Sequence, residues 1–221
     1  MSNETFIPGF GNQPYFNKFI NLDSIETRII NYIRDTDTPE AQRIWKLLKY
    51  SDMKALYQKD LSKKEKDALI YKDTDENSSR VFNFGFIEDN FTETCSLLKV
   101  YVDSIYPMNH LTATVNVRID ILSHNKLSNV YNDNGDPADD GRPVEEDIAV
   151  KNRNTVLLRS LIAILNGANI EGVGVLQFNR HVGDEKKAAA EMKLSNRRDY
   201  YGYSVVFSCN MSGVGDATNG Y

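Results

Sequence analysis

The run from Leu111 to Ser123 constrains this chain more than any other feature. Leu111, Ala113, Val115, Val117, Ile119 and Ile121 alternate there with Thr112, Thr114, Asn116, Arg118, Asp120 and Leu122. Period two sustained over that length predicts an extended strand with one buried face and a second face that is mostly wet. Such a strand needs a sheet beside it and a layer packed on it. Neighbouring runs supply both. Thr94 to Ile105 reads as a strand stopped by Tyr106-Pro107, and Val173 to Phe178 as a short one. Tyr203, Val205, Phe207, Cys209 and Met211 alternate as a last strand, and Arg80 to Phe86 places Phe82, Phe84 and Phe86 on one strand face.

Helical signals lie mainly before this region. Asp23 and Glu26 have capping-box spacing ahead of Ile25, Ile29, Ile30 and Ile33. Thr38-Pro39 reads as an N-cap followed by proline at the first helical position, leading into Ala41, Ile44, Trp45, Leu47 and Leu48. Ser62 and Glu65 repeat the capping box for a third short helix ending near Ile70. An amphipathic helix is predicted over Val150 to Leu165, closed by Asn166-Gly167. Within the polar insertion Arg180 to Arg198, Ala188-Ala189-Ala190 suggests one or two helical turns. The fold class expected is therefore α+β, an antiparallel or mixed sheet packed with an amphipathic helix and preceded by a helical subdomain. The expected divisions are an N-terminal arm and helical subdomain (1–78), an α+β domain (79–212) and a flexible tail (213–221).

A chain of 221 residues and 25.1 kDa can bury a sizeable core without staples. No apolar run approaches the roughly 18 residues of a membrane span, and the first twenty residues lack the pattern of a secretory signal. Cys95 and Cys209 lie far apart and read as buried free thiols in a reducing compartment. The net charge of −5 is local. Leu127 to Ala149 holds seven acids against Arg142 alone, whereas Arg180 to Arg198 holds six bases against three acids. A duplex-DNA binder would instead carry a basic face. Residues 40–72 hold nine bases against five acids, which reads as solvated helix surface.

No motif assembles chemistry. His110, His124 and His181 share no ligand spacing, and neither a G-x-S-x-G elbow nor a catalytic cysteine signature is present. Gly167-Ala-Asn-Ile-Glu-Gly172 has the glycines of a phosphate loop but is followed by Val173 and not lysine, and it follows a helix. Asp136, Asp140, Gly141 and Asp147 fall at calcium-loop positions, but Ala138 stands at the third. The expectation is a protein that is not an enzyme and that uses no catalytic residue, cofactor or metal. Two long loops of opposite charge suit contact between subunits. The candidate interface residues are Phe82, Phe84, Phe86, Asp139, Asp140, Arg197 and Arg198.

From Arg80 onward the order of elements resembles the head-to-tail joining proteins of tailed bacteriophages, the tail-terminator-like neck family in particular. The resemblance runs through Leu97-Leu98-Lys-Val-Tyr-Val102, Tyr106-Pro107 and Thr112 to His124, then the acidic loop and the helix Arg153 to Leu165. It ends with Gly174-Val-Leu-Gln-Phe178 and Tyr201-Gly-Tyr-Ser-Val-Val-Phe207. The arm before residue 79 and the insertion at 180–198 depart from that pattern. The resemblance implies a homo-oligomeric ring of six or twelve copies between the portal or connector and the tail proteins. It also implies assembly in the bacterial host cytoplasm, a place in the virion without membrane contact, and DNA passing through the lumen as non-specific cargo. An acidic lining at Asp133 to Asp147 would repel the phosphates. The competing expectation is a single-stranded nucleic-acid (RNA) binding module. It would stack bases on Phe82, Phe84 and Phe86 and clamp phosphates with Lys186, Lys187, Arg197 and Arg198.

Overall fold

A computed structural model describes residues 24–72, 78–85, 94–108, 112–131, 150–178, 188–193 and 199–212. In chain order the helices are α1 (Ile25–Asp35), α2 (Pro39–Lys49), α3 (Lys63–Asp67) and α4 (Arg153–Leu165). The strands are β1 (Val81–Phe82), β2 (Ser96–Pro107), β3 (Thr112–His124), β4 (Asn129–Tyr131) and β5 (Val150–Asn152), followed by β6 (Asn169–Ile170), β7 (Gly174–Val175), β8 (Gln177–Phe178), β9 (Ala189–Lys193) and β10 (Tyr200–Ser212). The fold is α+β with a mixed sheet, as expected. Its order is β1-β2-β3-β10, with β8 and β9 both on the outer side of β10. Only β1 runs parallel to its neighbour. The alternating run at 111–123 becomes the central strand, paired along its whole length with β10.

Local chemistry sets the helix starts. The Thr38 side chain accepts the Ala41 N–H at 3.3 Å ahead of Pro39. Ser62 and Glu65 close a reciprocal capping box, and Asn152 accepts from Asn154 and Thr155 to start α4. The first box is different. Asp23 lies outside the described residues, and the Glu26 carboxylate accepts the Val102 N–H at 3.1 Å instead of turning back to its own helix. α1, α2 and α4 cover one face of the sheet. Ile29, Ile33, Trp45, Leu48, Leu157 and Leu161 join Val100, Val117, Ile119, Val205 and Phe207 in one core cluster. Each large side chain so buried contributes about 1.5–3 kcal/mol. Trp45 keeps its indole N–H satisfied by the Ile33 carbonyl at 3.2 Å.

Four further expectations are corrected. The second face of β3 is not wet: Thr114, Asn116, Asp120 and Leu122 are buried and Thr112 and Arg118 half-buried, because pairing on both sides and groups over that face exclude water. The aromatic run is not a long strand. Only Val81–Phe82 pairs with β2, and the chain bends away at Asn83. Ala189 and Ala190 belong to a strand and not to helical turns, because β10 offers an unpaired edge there and backbone pairing outweighs alanine's helix preference. The expected strand at 173–178 is split into β7 and β8, which pair with different partners.

Candidate functional site

The second face of the sheet carries polar groups in successive rows across β2, β3 and β10. In the row nearest the aromatic segment, Lys99 and Asp120 form an ion pair at 3.2 Å, with side chains 4% and 0% exposed. Asp120 also accepts from the Ser204 hydroxyl at 2.7 Å and the Tyr101 hydroxyl at 3.1 Å. Lys99 donates to the Gly85 carbonyl at 3.0 Å, which pins the chain after β1 over this face. Burial, with the Asp120 carboxylate beside it, holds the Tyr101 hydroxyl's pKa above its ordinary value. Further along, Arg118 donates to Asp103 at 2.8 Å, Asn116 to Ser104 at 3.1 Å and Thr114 to Asn210 at 3.0 Å. Every charge in these rows faces an opposite charge on the neighbouring strand, so the rows fix strand register more than they offer reactive groups.

A second buried cation joins the layers. Arg153, fully buried at the start of α4, donates to the carbonyls of Leu47, Tyr50 and Asp52 at 2.7–2.8 Å. Burial lowers its pKa to about 10, still charged at neutral pH. The guanidinium therefore sits at the negative end of the α2 dipole and ties that end to α4. Neither the Lys99–Asp120 pair nor Arg153 was singled out from sequence. The one available signal was charge at strand positions of an alternating run; an arginine at a helix start reads as surface.

The candidate residues from sequence divide clearly. Phe82 is 3% exposed in a small cluster with Cys95, Leu97, Leu122 and Tyr200. Phe84 and Tyr71 pack edge-on at 5.0 Å, and Phe82 and Phe84 at 5.5 Å. Phe82 is thus spent as core and presents no stacking face to a base. Phe86, Asp139, Asp140, Arg197 and Arg198 lie outside the described residues. Both cysteines are buried free thiols, and burial pushes the Cys209 thiol up to about 11, which removes it as a nucleophile at neutral pH.

β9 divides the basic insertion expected at 180–198. Its first part, with Arg180, Lys186 and Lys187, lies between Phe178, opposite Phe207, and Ala188, whose carbonyl accepts the Val206 N–H at 2.8 Å. The anchors of the short turn 194–198 and of the acidic segment, the latter on the separate β4–β5 pair, lie near one end of the sheet. The acidic segment leaves from Tyr131 and returns at Val150, which pair with each other. The basic turn leaves from Lys193, opposite Tyr201, and returns at Asp199, whose carbonyl accepts the Asn125 N–H at 2.7 Å. Asn152 beside the acidic anchor donates to the Tyr201 hydroxyl at 3.3 Å. The opposite end of β3, some twelve residues and about 40 Å away, exposes Ile105, Tyr106 and Met108. A hollow of about 220 Å³ beside α2 is lined by Asp37, Arg43, Lys46 and Asp60, and Lys46 and Asp60 pair across it at 2.8 Å. Among the described residues no three His, Cys, Asp or Glu side chains gather as a metal site requires, and no helix is long and apolar enough to cross a membrane.

The sequence profile of the YomW family matches residues 41–209, a span from α2 to the end of the central strand pair. The chain belongs to the YomW family. That family is phage-derived, so the chain is a phage-associated protein. The match includes α4, the sheet and most of α2, and α1 lies before it. No curated protein and no solved structure matches the chain.

Proposed function

We propose that this YomW-family protein is a structural, non-catalytic component of a tailed-phage particle. It forms a ring in the head-to-tail connection that joins portal-side proteins to the tail and lets DNA through. The observation that carries this is the neighbouring roots of the acidic segment and of the basic turn that holds Arg197 and Arg198. Rotation about a ring axis leaves height unchanged, so a loop on one copy meets a loop on the next only if both are anchored at one level. The acidic segment rooted at Tyr131 and Val150 and the basic turn rooted at Lys193 and Asp199 satisfy that condition. Their opposite charges favour contact between copies over contact between like loops.

Light scattering and negative-stain images of one purified fraction test this. Closed rings of six or twelve copies are expected, and Asp139→Asn with Asp140→Asn, which removes two of the seven acids of the loop, should weaken their assembly. A monomer that binds an oligonucleotide with micromolar affinity at low salt, and loses it on Phe84→Ala, would replace the ring with nucleic-acid recognition.

A further inference from the structure

Among the described residues, two edges of the sheet carry backbone groups with no strand beside them. On β2, the strand β1 covers only Leu98 and Lys99, and the Glu26 carboxylate occupies the Val102 N–H. No described strand pairs with that side of Asp103–Met108, where Ile105, Tyr106 and Met108 are 38%, 37% and 70% exposed. Such an edge is a template for another strand unless charge, proline or a bulge guards it. The guards here are weak. Asp103 is neutralised by Arg118 at 2.8 Å, the bulge between Val102 and Ser104 opens the stretch, and Pro107 closes it. On the other side of the sheet, β9 is the outermost described strand beyond β10, with Ala190, Glu191 and Lys193 exposed.

The hydrogen-bond phase of the two edges matches. Met108 donates inward to Thr112, so in β2 beyond the bulge the even residues bond β3 and Ile105 points its N–H and C=O outward. Val206 donates to Ala188, so in β9 the odd residues, Ala189, Glu191 and Lys193, point outward. On both edges the outward residues are the ones whose side chains lie on the helix-covered face, since Ile105 stands opposite Val115 and Glu191 opposite Tyr203. Two copies can therefore pair edge to edge with their cores on the same side. The strand directions agree too: β9 of a second copy would run antiparallel to β2, continuing the alternation through β3 and β10.

We infer that the open edge of β2 takes the β9 edge of a second copy, with Ile105 opposite Glu191. This rests on the ring proposed above and names the surfaces that build it. The register follows from Glu26. Moving β9 two residues toward Val102 would set it against the N–H that Glu26 already fills. In the assigned register, Ala189 meets Pro107, whose missing N–H faces the new strand, and Lys193 stands level with Asp103. The geometry closes. Through β10, Glu191 aligns with Ile121, and Ile105 aligns with Val115, a stagger of six residues per copy. Six residues span about 20 Å and four strand spacings about 19 Å, a strand tilt of roughly 45°, at the upper end of the range for closed sheets.

Cysteine pairing and edge blocking test the assignment. Tyr106→Cys mixed with Ala190→Cys should form disulfide dimers under mild oxidation, the double variant a ladder that ends at the ring, and neither single variant alone a dimer. Cys95 and Cys209 are buried and do not compete. Ile105→Pro removes only an outward N–H and should raise the concentration for half-assembly by about tenfold or more, the factor carried by one or two net hydrogen bonds. Ile105→Glu, which leaves the backbone untouched and sets a carboxylate opposite Glu191, should act in the same direction, and unchanged circular dichroism would show that both variants fold. Rings that survive both substitutions, or Tyr106→Cys dimers formed without Ala190→Cys, overturn the edge assignment and leave the ring standing. A wild-type chain that stays monomeric and never cross-links through the double variant removes both.

Discussion

The Lys99–Asp120 pair allows the polar sheet face to be tested quantitatively. Lys99→Met keeps the length of the side chain and removes its charge. Asp120, with no exposed surface, then holds a carboxylate with only Ser204 and Tyr101 as donors. Leaving one member of a buried pair uncompensated costs about 3–5 kcal/mol, a large share of the roughly 5–15 kcal/mol that holds a domain folded. Asp120→Asn keeps an acceptor for both hydroxyls but leaves the buried ammonium with the Gly85 carbonyl, and a similar loss follows. The double variant removes both charges together. It should cost less than the two single losses combined, by about 2 kcal/mol or more. Urea unfolding reads this directly: each single variant moves the midpoint down by about 1–2 M at ordinary m values, and the double variant recovers most of one such shift. Single losses that add to within about 0.5 kcal/mol would refute the idea that these charges are energetically one unit.

Other expectations follow from particular contacts. A methyl group on Gly202 would lie 1.8 Å from the Ile121 carbonyl oxygen, so Gly202→Ala must part β10 from β3. It should cost about 3 kcal/mol or more and broaden the backbone amide signals of both strands in NMR spectra. Arg153→Met strands the carbonyls of Leu47, Tyr50 and Asp52 at the end of α2. Arg153→Lys cannot reproduce the fork, so both variants should lower Tm, by similar amounts. Acid stability has a defined window. Lys49 and the Ser62 groups draw the Glu65 carboxyl down from 4.5 to about 2, so its contribution is complete above about pH 4.5 and is lost as pH falls toward 2. Lys49→Met should flatten the urea midpoint across that interval, and an unchanged slope there would assign the acid sensitivity to other groups.

The elements of this fold were legible where side-chain period and capping chemistry agreed, and obscure where a neighbour decided. β3 was readable because thirteen residues of alternation leave no other conformation that buries one side, and α2 because Thr38-Pro39 fixes a start that the apolar stripe continues. The state of the second face of β3 was not readable. Polarity in a sequence reports what a side chain can bond, not whether a neighbouring strand or loop has displaced the water. Asp120 looks like a solvent-facing aspartate until Lys99, Tyr101 and Ser204 arrive from strands remote in sequence. Ala189 and Ala190 show the same dependence in the backbone: by propensity they favour helix, but the edge of β10 takes them as strand. Phe82 and Phe84 were visible as an aromatic pair, yet only the bend after β1 turns them toward Tyr71 and away from a partner. What long-range pairing hides from sequence in this chain is therefore also what decides its contacts. The same accounting of backbone groups that buries Asp120 leaves Ile105 and Glu191 with outward bonds to make, and those are the positions at which a second copy should be sought.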